Sequence, residues 1–394
     1  MIQTATFWLV LLATVVAYWL LPPRMRLWFL AAASFGYLIS LDPVGVVTLL
    51  GWTLAVFYAA PRAMATGRQG PLVLAGIVAL ILGYLIWQKY LPTYLAMIGQ
   101  ATPGAAIAVP LGISYFSFKL IHYAVETARG NLTDRSLPTF LSYVFLFPIF
   151  TAGPIERYDH FRQNIAARPD AAMFATGLTR IAHGLIKVAI LAQVFNPSGF
   201  GHGVPASAAE VVGQSGIAVW QVWAFVVLSY LYAYFDFSAY SDIAIGASRL
   251  FGITIMENFR LPVLAVNIID FWKRWHMTLA AWCQSYVYMP VLARSRSPYA
   301  AVFATFVVMG LWHGATGNWF LWGLYHASGV AAYTAWTRKM RTRPLWRRAT
   351  TGPARYLGVP ATFLFVSGSY AFSTATEGGW QAIRVFAILF GIRV

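Results

Sequence analysis

A succession of apolar stretches, near residues 3–21, 27–41, 44–60, 71–98, 139–152, 174–196, 216–235, 299–312, 315–336, 357–373 and 379–392, constrains this chain more than any other feature. Crossing a hydrocarbon core of about 30 Å takes about 20 residues of apolar helix, whereas a barrel strand needs only about 10 alternating ones. The runs are too long for strands. Only 10% of the residues are charged, against roughly 25% in soluble domains, and so few charges cannot cover a soluble surface. The expected fold is all-α: a polytopic integral membrane protein of about 11 transmembrane helices. Several stretches are short or broken by Gly and Pro, which predicts re-entrant or interfacial helices around a central tunnel. Irregular backbone at that depth survives only inside protein or against a wet cavity.

The first stretch reads as a retained helix rather than a leader. Arg24 and Arg26 follow it instead of preceding it, which places its start outside and the two arginines inside. The net charge of +16 has the same origin. Arg62 and Arg68 share one loop, and Arg338, Lys339, Arg341, Arg343, Arg347 and Arg348 cluster after another span. Positive-inside bias accounts for such loop anchors, with an acidic partner or anionic lipid as the other use. No nucleic-acid partner is implied. Cys283, the one cysteine, excludes an internal disulfide and a cysteine metal cluster. No H-E-x-x-H, G-x-S-x-G or phosphate-loop pattern occurs, so no metal site is expected. Without a long polar linker or internal repeat, residues 1–394 read as one membrane-embedded domain. The regions 1–100 and 350–394 are plain; the chemistry lies at 110–330.

Four islands carry it. In Pro110-Leu-Gly-Ile-Ser-Tyr-Phe-Ser-Phe-Lys119 the Pro and Gly break a helix. Phe147 to Arg162 contains Gly153-Pro-Ile-Glu-Arg-Tyr and marks a turn at the membrane boundary, with a solvated charged tail and His160 at the surface. Tyr234 to Gly246 carries Asp236 and Asp242, rare acids expected to pair with Arg249 or Lys273. The fourth begins Asp270-Phe-Trp-Lys-Arg-Trp-His-Met-Thr-Leu, whose mixed aromatic and basic residues suit an interfacial helix continuing through His276.

An ionisable ring at membrane depth is expensive unless it faces protein or water, so it signals a site. His276 and His313 both sit in Trp-flanked motifs. Gly310 and Gly314 bracket His313 and admit a ligand or another backbone closely, and a neutral imidazole there suits a general base. His326, in Leu324-Tyr-His, stands as a supporting residue. His122 suits a bond to Glu126 one turn on; His183 reads as structural and His202 as an exposed loop residue.

In order along the chain, Gly153-Pro-Ile-Glu-Arg-Tyr, Phe235-Asp-Phe-Ser-Ala-Tyr-Ser-Asp, Glu257-Asn-Phe, the Asp270–Leu279 string, Leu311-Trp-His-Gly and Trp322-Gly-Leu-Tyr-His resemble the membrane-bound O-acyltransferase family. The resemblance covers roughly 110–330 and looks closest to the bacterial branch of alginate O-acetylation and teichoic-acid D-alanylation. It implies acyl transfer from a cytoplasmic thioester donor to a hydroxyl at the outer face. His313 matches the family's essential histidine and His276 its second functional one. Trp312, Trp275, Asp270, Asn258, Asp236 and His326 are candidate supporting residues. The family usually carries Arg-Asp where this chain has Gln284-Ser285, which bears on donor or partner docking.

The function expected is therefore transfer of an acyl group, acetyl first, to an envelope or exported polysaccharide through an extracytoplasmic acyl-accepting partner. The donor, acetyl-coenzyme A or an acyl carrier protein, is a substrate rather than a bound cofactor. The place is the inner membrane, spanned many times. D-alanyl transfer to a teichoic-acid-like polymer is the alternative. A proton-coupled transporter is a rival of another class, but it predicts an inverted repeat that the sequence lacks.

Overall fold

The computed structural model describes residues 2, 4–65, 67–97, 109–132, 134–201, 203–340, 342–344, 350 and 352–392. Each apolar stretch overlaps a helix, and among the described residues no strand forms beyond an isolated Ile165–Ile253 bridge. Four helices are long and apolar enough to cross a membrane: Pro43–Ala65, Gly67–Leu95, Ala171–Val194 and Val219–Leu250. His202, Arg341, Arg347 and Arg348 lie outside the described residues. The chain divides into two compact units, Met1–Leu185 with Tyr240–Glu257, and Ile186–Ala239 with Asn258–Val394.

The first unit is held by buried ionisable groups that have partners. The helix Leu137–Phe145 ends inside a nest of Tyr123, Phe140, Tyr143 and Tyr158 rings. The last carbonyls of a helix lack intrahelical donors. Lys119, 1% exposed, supplies them: its ammonium donates to the Tyr143 and Val144 carbonyls at 3.0 and 3.2 Å. Glu156, expected in a solvated tail, is instead 1% exposed. It accepts the Met256 amide at 2.7 Å and the Arg157 amide at 3.1 Å, and lies 2.6 Å from His160 Nδ1. That bond leaves His160 only partly exposed and raises its pKa above the ordinary 6.5, through the hydrogen bond to the carboxylate first. His122 is buried and accepts the Tyr158 amide at 3.0 Å, whereas His183, read as structural, is exposed.

Asp242 pairs, but not with Arg249 or Lys273. Arg180 reaches it at 2.7 Å and holds both oxygens of Glu257 at 3.1 and 2.8 Å. The helices carrying Arg180 and Asp242 approach so closely that a methyl at Gly177 would sit 2.9 Å from the Gly246 carbonyl oxygen. Arg249 bonds the Thr254 hydroxyl.

The second unit is built on a helical hairpin, Pro298–His313 and Gly317–Met340. Ser297 caps the first helix by accepting the Ala300 amide at 3.2 Å, with Pro298 at the first turn where its missing N–H is harmless. A methyl at Gly310 would strike the Trp319 carbonyl, and one at Gly323 the Phe306 carbonyl. Small residues at both crossings let the helices touch backbone to backbone. The expected closeness around His313 is real, and what approaches Gly310 and Gly314 is Trp319 of the partner helix.

Candidate active site

His313 is the last residue of its helix, because Gly314 leaves helical dihedrals for extended ones. Its ring stacks on Trp319 (centroids 4.7 Å apart, 18° between planes) and meets Trp322 and Trp312 edge-on at 5.4 and 4.8 Å. It lines a cavity of about 610 Å³, together with His326, Trp272, Trp275, Trp319 and Trp322. That volume falls in the ordinary range of ligand sites, roughly 300–1,000 Å³. The Val219–Leu250 helix presents Phe225, Ser229, Tyr232, Ala233, Asp236 and Phe237 to the same cavity. Positions spaced 4, 3, 1, 3 and 1 along a helix share one face.

His326 sits on the wall itself, 1% exposed, with its ring 4.6 Å from Trp322 and 5.1 Å from Trp272. Its Nδ1 has no hydrogen-bond partner among the described residues, nor has Trp272 Nε1. Trp319, Trp322 and His326, at i, i+3 and i+7, form one stripe that the sequence carried openly. The C-terminal region read as plain also contributes: Val366, Ser369, Tyr370, Ser373, Thr374 and Thr376 line the cavity.

His276 is not among the lining residues. The expected continuous interfacial helix is interrupted from Lys273 to His276. Ile268–Trp272 is capped by Asn267, which accepts the Asp270 amide at 2.8 Å. The Asp270 carboxylate accepts the Val266 amide at 3.1 Å and the Arg274 guanidinium at 2.9 Å, closing a tight turn. The Arg260 amide then bonds the Arg274 carbonyl, and Met277 N–H bonds the Asn258 carbonyl, both at 2.9 Å. Asn258 Oδ1 accepts the Thr278 hydroxyl at 2.8 Å. His276 thus begins a new helix, Met277–Cys283, with φ 43° and ψ 51°. Left-handed backbone in a non-glycine residue costs of order 1–3 kcal/mol and persists only where surroundings over-determine it. It drives the ring into protein, 2% exposed, edge-on to Phe237 at 4.8 Å and 6.1 Å from Trp312, with Nε2 unpartnered among the described residues.

Of the sequence candidates, His313, His326, Trp275 and Asp236 meet at one cavity. Trp312 packs on both His276 and His313, while Asp270 and Asn258 hold the backbone around His276. A second cavity, about 400 Å³, is lined by Lys273, Met277, Gln284, Tyr288 and Met309, and shares Trp272 with the first. Gln284, at the position of the Arg-Asp departure, opens a π-helical turn, Gln284–Tyr288, and the Ser285 hydroxyl turns back to the Ala281 carbonyl.

A family model described as membrane-bound O-acyltransferase matches residues 28–371. Among similar proteins, the probable alginate O-acetylase AlgI of Azotobacter vinelandii is 29% identical over 80% of this chain and 64% of its own length. The teichoic acid D-alanyltransferase of Bacillus subtilis is 32% identical over 67% of this chain and 68% of its own. The peptidoglycan O-acetyltransferase of Helicobacter pylori is 29% identical over 65% of this chain and 51% of its own. The match spans less than two thirds of the alginate-type relatives' length.

Proposed function

The chain belongs to the membrane-bound O-acyltransferase family, and from that premise we propose that it transfers an acyl group, acetyl first, from a cytoplasmic thioester to a hydroxyl. The observation that carries the reading is His313 on the wall of a ligand-sized, tryptophan-lined cavity, with His326 beside it. The His313 imidazole takes the proton of an acceptor hydroxyl. The oxygen adds to the thioester carbonyl, the tetrahedral intermediate collapses with loss of the thiolate, and the imidazolium returns its proton to that sulfur. Proton transfer of this kind supplies about 10²–10⁴-fold, and orientation within the aromatic walls supplies much of the rest. His276 acts as a positioning residue, through Trp312 and Phe237, rather than by touching substrate.

The wider frame of the proposal is a protein of about 11 crossings in the inner membrane. Its donor is acetyl-coenzyme A or an acyl carrier protein, and an extracytoplasmic partner passes the acyl group to an envelope or exported polysaccharide, the alginate relatives being named for a polymer of that class. D-alanyl transfer is the second reading; the uncompensated carboxylate of Asp236 on the cavity wall complements the ammonium such a group carries. The test is ester content of envelope polymer in cells carrying wild type, His313→Ala or His276→Ala at matched membrane levels, with mass spectrometry naming the acyl group. The expected result is loss of ester with His313→Ala; unchanged ester there overturns the proposal.

A further inference from the structure

Among the residues lining the His313 cavity, Asp236 is the sole formal charge. Its neighbours on the wall are tryptophans, alanines and hydroxyl-bearing side chains such as Ser207, Ser229, Ser373 and Thr374. Asp236 is exposed to that space, and among the described residues it forms no hydrogen bond or ion pair. Asp242, on the same helix, is the contrast: 7% exposed and held by Arg180 at 2.7 Å. A carboxylate kept for architecture is bonded, as Asp242 is to Arg180 and Asp42 to the Gly45 and Leu111 amides. Asp236 stands on the cavity face of its helix, one turn from Ala233 and Tyr232, and projects an uncompensated negative charge into the volume where a substrate meets His313.

We propose that Asp236 sets the charge of the acceptor: the cavity admits a hydroxyl whose carrier is neutral or cationic near the reacting end, and excludes one bearing a carboxylate or phosphate there. A neutral polyol or serine hydroxyl donates a hydrogen bond to Asp236, a cation is attracted to it, and an anion enters against it. At separations of a few ångströms in a partly hydrated cleft, one unit charge discriminates roughly five- to tenfold per charge on the visitor. An acidic polymer is therefore reached through a neutral intermediate hydroxyl rather than directly. The inference rests on the reading of this cavity as the meeting place of acceptor and His313.

The test measures charge in the cavity without requiring turnover. Ala233→Cys places a reporter thiol on the same helix face; native Cys283 is fully buried and stays silent. Purified protein in a neutral detergent is labelled with a cationic trimethylammonium-ethyl or an anionic sulfonatoethyl methanethiosulfonate, and the rate ratio is divided by that for a free thiol. The expected ratio favours the cation and falls by roughly tenfold in Asp236→Asn, while a shift in thiol acidity cancels because both reagents meet the same thiolate. An unchanged ratio in Asp236→Asn overturns the proposal. Should that variant not fold, a salt titration with Asp236 in place decides the matter instead: the preference must fade toward the free-thiol value as salt rises, and a ratio already at that value overturns the proposal. His313→Ala ester loss tests the underlying reading separately, so the two failures are distinguishable.

Discussion

The two units treat their buried ionisable groups differently, although among the described residues both contain unpartnered polar atoms, Tyr37 Oη and Gln88 Oε1 in the first among them. In the first, Lys119 feeds two carbonyls, Glu156 takes two amides and a histidine, and Arg180 clamps Asp242 and Glu257. In the second, His276 Nε2, His326 Nδ1, Trp272 Nε1 and Asn318 Oδ1 have no partner among the described residues, and Asp236 has no cation. Unmade hydrogen bonds in a dry interior are costly, so a fold keeps them only where something else is gained. Paired charges hold the first unit together; in the second, His326 and Asp236 are left open on the wall of the cavity.

The sharpest way to break that contrast is in the first unit. Lys119→Met strips donors from the two carbonyls at a helix end, and each group left unsatisfied costs about 1–3 kcal/mol. The expected outcome is a markedly lower melting temperature in detergent and reduced membrane abundance. Normal stability would show that the satisfied network is dispensable. The counterpart in the second unit is His326→Leu, which replaces an imidazole carrying an orphan nitrogen with apolar volume. Its stability is expected to stay within about 1 kcal/mol of wild type or to rise, while acyl transfer falls; thermal unfolding and polymer ester measured on one preparation separate the two. A loss of stability as large as that of Lys119→Met would erase the distinction.

The smallest effect is a pH dependence at His160. Because its folded pKa is raised above 6.5 by Glu156, the pair contributes fully below pH 6.5 and fades as pH rises through the folded value. The side chain is about one third exposed, so the contribution is discounted to no more than about 1 kcal/mol. The melting-temperature gap between wild type and His160→Gln is expected to narrow from mildly acidic to alkaline buffer. A gap that widens instead would reverse the sign assigned to this bond.

Helix positions were legible because apolar runs fix them. The break at His276 was not. Aromatic and basic residues from Phe271 to Trp275 read as one amphipathic helix, and what stops it are bonds to Asn258 and Arg260, far upstream in sequence. The pairing of Asp242 was hidden for the same reason, since Arg180 lies on another helix. The crowding at His313 was legible, because glycines and tryptophans around an imidazole say that space is tightly allotted. The contribution of Ser369, Ser373 and Thr374 was invisible: nothing about isolated hydroxyls in an apolar stretch marks them as cavity wall.

The left-handed backbone at His276 governs how a saturation scan of that position must be interpreted. Asparagine and glycine tolerate such dihedrals, whereas valine and isoleucine resist them. Survivors will therefore rank first by conformational tolerance and only then by what the ring contributes. The informative comparison at 276 is histidine against asparagine, two side chains that accept the same turn but offer different shapes to Phe237 and Trp312.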